Sequence, residues 1–273
     1  MDFIILAAIL FYTLSMTGYF FYFFLQKDNL QKTGYYLFAA GFLFHCFSIF
    51  SDFKTLGVIP VLNLGQTLIF TGWTIAGVFL LFQKKYNLKI LGIYAAPLVT
   101  VITAVGSCFP SEIVTVDTLF KSFWLILHII TIFIGESAFA LACGVGILYL
   151  LQERAIKTKK HRFFLKRLPS LEMLDSAGYA SIVSGFTFTS IGLAAGIIYA
   201  KLAWGRYWSW DPKEVWSVIT WLIYAVLLHE RLLAGWRGKK TAVMAIIGFF
   251  VMMFTFLGVN LLLPGHHGDF TRW

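Results

Sequence analysis

Apolar residues fall in eight long runs separated by short polar stretches: Phe3–Leu25, Tyr35–Ser51, Val61–Phe82, Ile90–Phe109, Phe123–Leu151, Ala177–Leu202, Glu214–Leu233 and Thr241–Leu263. A helix rises about 1.5 Å per residue, so about 20 residues cross a bilayer core. The second run is short, at 17 residues, and the fifth long, at 29. Lipid cannot satisfy loose backbone amides, so each run is expected to be a helix. The first run lacks a basic start and a small-residue cleavage site, and it reads as a span rather than a removed leader. The prediction is an all-α polytopic membrane protein with eight transmembrane helices. Its divisions are an N-terminal four-helix segment, 1–121, and a C-terminal segment, 122–273.

Composition agrees with the pattern. Of 273 residues, 59% are hydrophobic and only 13% charged, against about a quarter charged in soluble domains. An ordinary soluble enzyme and a disordered chain are both excluded. The net charge of +9 does not point to nucleic acid, because the basic residues sit between apolar runs as membrane anchors do. With the loops assigned alternately to two sides, 16 of the 22 Lys and Arg residues fall on the side of Lys27, Lys84 and Arg231. That side is expected to be cytoplasmic, which puts both termini on the outer face, toward periplasm, cell exterior or thylakoid lumen, with the cell membrane the expected location. The basic, partly apolar stretch Ile156–Leu168 reads as an inner-leaflet surface helix drawn to anionic lipid. Cys46, Cys108 and Cys143 form no C-x-x-C pair, which argues against thiol–disulfide transport; buried, structural cysteines are expected.

The outward stretch Trp204-Gly-Arg-Tyr-Trp-Ser-Trp-Asp-Pro-Lys-Glu-Val-Trp216 changes the picture. Trp204, Trp208, Trp210, Trp216 and Trp221 are five of the nine tryptophans. An interfacial belt would spread them over all the helix ends; their concentration here favours an aromatic binding platform. Asp211-Pro212-Lys213-Glu214 has the form of a helix start, with Asp as N-cap, Pro at the first position and Glu at the third. Asp211 is therefore expected to fix where the seventh helix begins, ahead of any direct ligand role.

The histidines sort by depth. His128 lies in the first turns of helix five, near the outer face, and His266 and His267 follow Pro264-Gly265 in the outward tail. Two imidazoles across an aromatic slot suit the axial positions of haem iron, although His128 alone is more simply an interfacial residue bonded to a neighbour. His229 is 17 residues past Pro212, about 26 Å along its helix, at the inner side. His45 reads as a packing residue, and His161 lies in the basic stretch. No helix carries the histidine pair, about four turns apart, of a di-haem cytochrome b. Glu136, the one acid well inside a span, either pairs with another buried polar group or lines a ligand path.

The segment W-G-R-Y-W-S-W-D-P-K-E-V-W-S-V-I-T-W with L-L-H-E-R resembles the WWD signature of cytochrome c assembly proteins (CcsA or CcsB, ResC, CcmC), nearest the CcsA/ResC branch. The likeness extends to Leu174-Asp175, to G-x-x-x-G-I-I-Y-A before Trp204 and to N-L-L-L-P-G-H-H, from about His128 to His267; the first 120 residues match only as short spans. The resemblance implies non-covalently bound b-type haem resting on Trp204, Trp208, Trp210 and Trp216. It implies iron held by His128 and a tail histidine, for which the family's spacing after glycine selects His267, with His266 the alternative. It connects His229 with haem arriving from the inner side. Arg206 stands where a propionate could be met. The implied activity is that of a subunit of holocytochrome c synthase (cytochrome c haem lyase), which with a ResB/CcsB-type membrane partner attaches haem to the C-x-x-C-H segment of an apocytochrome c. Two alternatives remain: a CcmC-like haem chaperone or exporter without ligation, and a HemX-like regulator of haem synthesis.

Overall fold

A computed structural model describes residues 3–109, 118–158 and 167–263. All regular structure among them is helical, and eight helices are long and apolar enough to cross a membrane. They are α1 (Phe3–Leu25), α2 (Asp28–Leu56), α3 (Leu64–Tyr86), α4 (Gly92–Ser107, entered through a 3-10 turn at Lys89–Leu91), α5 (Phe123–Thr158), α6 (Leu171–Trp204), α7 (Pro212–Leu233) and α8 (Lys239–Met253). A π-helical turn, Phe254–Gly258, carries α8 on into Val259–Leu262.

Several helices outrun their apolar stretches. The second has 29 residues rather than 17, the fifth 36 rather than 29, and the sixth begins at Leu171, ahead of its apolar start. A hydrophobic run measures the length immersed in lipid, whereas backbone hydrogen bonding carries a helix on through the polar headgroup layer. The last turn of α5 takes up Ile156–Thr158, the start of the basic stretch. His161 and residues 159–166 lie outside the described residues.

Two compact units result, α1–α4 with residues 167–169, and α5–α8. In the first, Tyr12, Tyr19, Phe38 and Phe79 are fully buried. Phe38 meets Tyr12 and Phe79 at ring-centre distances of 4.9 Å. Two of its buried hydroxyls bond across helices. Ser15 donates to the Gly34 carbonyl at 2.7 Å, and Tyr19 to Gln83 Oε1 at 2.8 Å. His45 is buried as expected, with Nδ1 3.3 Å from the Tyr12 hydroxyl. Arg167 donates through Nε to the Phe23 carbonyl at 2.9 Å and through a terminal nitrogen to that of Phe24 at 3.1 Å, satisfying acceptors that the end of α1 leaves open.

The cysteine expectation needs one correction. Cys143 is buried and Cys46, half-buried, accepts from Trp73 Nε1 at 3.1 Å, but Cys108 is exposed. It follows the last residue of α4, where the chain leaves the packed bundle. All three are free thiols.

The second unit is built on close helix contact. Its core holds Phe139, Ala142, Ile182, Tyr224, Leu227, Ala245 and Met252. Gly135 faces Gly185 and Thr189 between α5 and α6, and Gly146 faces Ala242 of α8. Lipid offers no hydrophobic drive for helices to associate, so such small-residue contacts and interhelical polar bonds do that work. One of those bonds pins an end of the unit. Arg231 makes a two-pronged pair with Asp175 at 2.7 and 3.0 Å, and the same carboxylate accepts from the Gly238 amide at 2.7 Å. Three successive helices, α6, α7 and α8, are tied there.

Candidate functional site

Alternating helix direction brings the start of α5, the end of α6 and the start of α7 to one end of the second unit. The connection from α6 to α7 is the tryptophan segment. Gly205 closes α6 in the left-handed region, at φ 74°, as helix C-caps commonly do; its carbonyl accepts from Lys201 Nζ at 2.8 Å. Trp210 also has a positive φ, 60°, an uncommon backbone state for a bulky residue. The segment is held in that shape by Glu214. Its Oε2 accepts from the amides of Ser209 at 2.8 Å and Asp211 at 3.2 Å, and its Oε1 from the Ser209 hydroxyl at 2.9 Å.

Asp211 is the N-cap of α7, as its sequence context indicates. It is only 5% exposed, and its Oδ1 accepts from the Lys213 amide at 2.9 Å within a full capping box with Glu214. Its carboxylate serves the helix start and thereby the presentation of the indoles. The reading of the sequence gave Glu214 only a capping duty; its hold on Ser209 was not visible there, because nothing in the motif marks a hydroxyl two residues before the cap as its partner.

The tryptophans divide by role. Trp210 is 77% exposed and meets Trp208 edge-on at 5.7 Å. Trp204 lies 6.3 Å from Tyr199. Trp216 packs against Phe254, at the π-helical turn, at 4.6 Å. That turn is joined to α7 by the Thr220–Thr255 hydroxyl pair at 2.9 Å. Trp221 belongs elsewhere: it stacks on Phe186 and donates from Nε1 to Ser190 Oγ at 2.8 Å, bolting α7 to α6. Arg206 and Tyr207 are exposed on the loop.

His128 is half-buried in the second turn of α5. Its Nδ1 lies 2.7 Å from the Gly192 carbonyl of α6, and Gly196, one turn on, leaves room for the ring. The structure thus places His128 and the tryptophan segment at the same end of the unit, and α8 delivers the chain toward that end through the Phe254 contact. His266 and His267 lie outside the described residues. His229 is exposed near the opposite end of α7, two residues before Arg231 of the Asp175 pair; it is not brought together with the others.

Glu136 has an electrostatic partner in Lys213, the second residue of α7, and both are half-buried. An acid on α5 and a cation at the start of α7 thus influence one another across the unit. Among the described residues, no three of His, Cys, Asp and Glu cluster as a metal cage.

The sequence pattern defining the family "Cytochrome C assembly protein" matches residues 61–267. The chain belongs to this family. Membership reaches further than the WWD likeness indicated: the match begins at Val61, before α3, rather than near His128. The chain is 36% identical over 220 residues to the cytochrome c biogenesis protein CcsA of Chlamydomonas reinhardtii, covering 77% of this chain and 61% of that one. To the protein of the same name from Trieres chinensis it is 30% identical over 299 residues, covering 97% of this chain and 93% of the other. Among solved structures, the cytochrome c haem lyase CcmF shares the fold, with a TM-score of 0.64 at 16% identity, over 98% of this family member and 47% of that chain.

Proposed function

We propose that this family member binds haem as its substrate at the tryptophan end of the second unit and presents it for attachment to an apocytochrome c. Trp204, Trp208, Trp210 and Trp216 supply the aromatic surface, and His128 and His267 the iron ligands, with His266 the alternative to the latter. Arg206 faces a propionate. His229 serves haem at the inner side before it reaches the outer site. The site faces the periplasm or exterior of the cell membrane, with both termini on that side.

The observation that carries this reading is the presentation of His128. A carbonyl oxygen can only accept, so the 2.7 Å contact with Gly192 puts a proton on Nδ1 and, in the neutral ring, the lone pair on Nε2. Imidazoles that ligate iron are commonly held in this way. The exposed Trp210 and its edge-on neighbour Trp208 give a flat porphyrin an aromatic face, where such ring contacts contribute about 0.5–1.5 kcal/mol each beyond area burial.

Thioether formation adds a cysteine S–H across a vinyl C=C, making one C–S and one C–H bond without net oxidation. The chain's share is to hold and orient the haem while a ResB-type partner and the C-x-x-C-H segment are brought to it. The test is purification with that partner, followed by the haem spectrum and the yield of holocytochrome c. His128→Ala and His267→Ala are expected to change the spectrum and abolish maturation; an unchanged spectrum with intact maturation in both refutes the proposal.

A further inference from the structure

Gly192 and Gly196 stand one turn apart on α6 and both face the start of α5. A Cβ added at Gly196 would lie 2.6 Å from His128 Nδ1 and 2.8 Å from its Cε1. One added at Gly192 would lie 2.7 Å from the Ile132 side chain and 2.9 Å from Thr131 Oγ1. Real Cβ atoms do not approach so closely, so Gly196→Ala displaces the imidazole or α5, and Gly192→Ala forces the Ile132 side chain aside beside Thr131. Thr131 Oγ1 is anchored by donating to the Leu127 carbonyl at 2.7 Å, so at Gly192 the Ile132 side chain is what must yield. The two glycines therefore set the distance at which the Gly192 carbonyl meets His128 Nδ1.

We propose that Gly192 and Gly196 are positioning residues for haem binding: they hold His128 in the Nδ1–H tautomer and aim Nε2 at the iron. This rests on the reading of His128 as a ligand and adds a cause for its orientation. A backbone carbonyl on a packed helix cannot swing away as a side-chain acceptor can, so the ring has one hydrogen-bonded pose. The G-x-x-x-G spacing thus does more than close two helices together: it delivers an acceptor and, one turn later, the space for the ring that uses it.

The test begins with the haem-free full-length protein labelled with 15N-histidine, the His128 signals being identified by their loss in His128→Gln. The expected result is a protonated Nδ1 and an unprotonated Nε2. In Gly196→Ala these signals shift and haem affinity falls about tenfold or more, the usual scale for losing the partner of a ligating histidine. Gly178→Ala, where an added Cβ makes only an ordinary 3.5 Å contact with Val145, leaves both unchanged. Added imidazole restores haem to His128→Gly, and to the same extent when Gly196→Ala is also present, because the ring to be positioned is gone. A protonated Nε2 in the native protein, or an undisturbed tautomer and affinity in Gly196→Ala, overturns the proposal. If Gly196→Ala does not fold, the native tautomer decides. Full haem affinity in His128→Gly instead overturns the ligand reading alone, and the tautomer measurement is judged by itself.

Discussion

Replacing Glu214 by alanine removes three hydrogen bonds at once, from the Ser209 amide at 2.8 Å, the Ser209 hydroxyl at 2.9 Å and the Asp211 amide at 3.2 Å. Hydrogen bonds to a charged group contribute about 1.5–3 kcal/mol each, but they share one half-exposed carboxylate and do not add fully, so about 2–3 kcal/mol of local stability is at stake. Trp210, held at φ 60°, relaxes once the segment is released. Every 1.4 kcal/mol is a factor of ten, so the open form of the loop gains about 30- to 140-fold in population. Trypsin reports this directly, because Arg206 lies in the exposed loop and cleavage through a rapidly opening segment follows the open population. Glutamine is the informative control. With its oxygen in the place of Oε2 it still accepts from both amides, and its nitrogen donates to Ser209 Oγ. Glu214→Gln is therefore expected to be cleaved within severalfold of the native rate and Glu214→Ala far faster. Equal rates for Glu214→Ala and the native protein, or equal damage from both variants, would refute the assignment of Glu214 as the loop's organiser.

Other expectations follow from particular contacts. Asp175→Ala leaves Arg231 unpaired and the Gly238 amide without its acceptor, and should cost about 3 kcal/mol in thermal or denaturant unfolding in detergent; the double variant Asp175→Leu with Arg231→Met should be less damaged than Asp175→Ala, and a simple sum of the two single effects would contradict this. Trp221→Phe loses its bond to Ser190 and should cost about 1 kcal/mol of stability while leaving the haem spectrum as it was. Trp210→Ala should do the reverse, changing stability by less than about 0.5 kcal/mol, since the side chain is largely exposed, while lowering haem retention. Exchange of these two phenotypes would move the platform from the loop to the α6–α7 contact.

What could be read from the sequence was what is local. The eight spans follow from apolar run length, and the start of α7 from four consecutive residues, Asp211 to Glu214. Helix ends were misjudged where polar residues continue a helix past the lipid, as at Asp28–Gly34 before the apolar run of α2. Pairings between distant positions left no trace. Asp175 meets Arg231, 56 residues on, and His128 meets Gly192, 64 residues on; neither partner is marked by its own neighbours. Lys213 is marked by its neighbours only as part of a helix start, yet its electrostatic partner is Glu136 on α5. The G-x-x-x-G spacing was visible, but its meaning depended on which ring lies opposite. Trp221 belongs to the tryptophan-rich stretch by proximity in sequence, and only the helical phase of α7 turns it toward Ser190.

The central claim is that His128 Nε2 holds the iron of haem bound at the tryptophan end of α5–α8. It is tested most directly by an experimental structure of the haem-loaded protein with its partner. The expected structure has the iron bonded to Nε2 of His128, Nδ1 still donating to the Gly192 carbonyl, and the porphyrin against Trp208 and Trp210. Iron bound away from His128, or a porphyrin remote from the 204–216 segment, would contradict it.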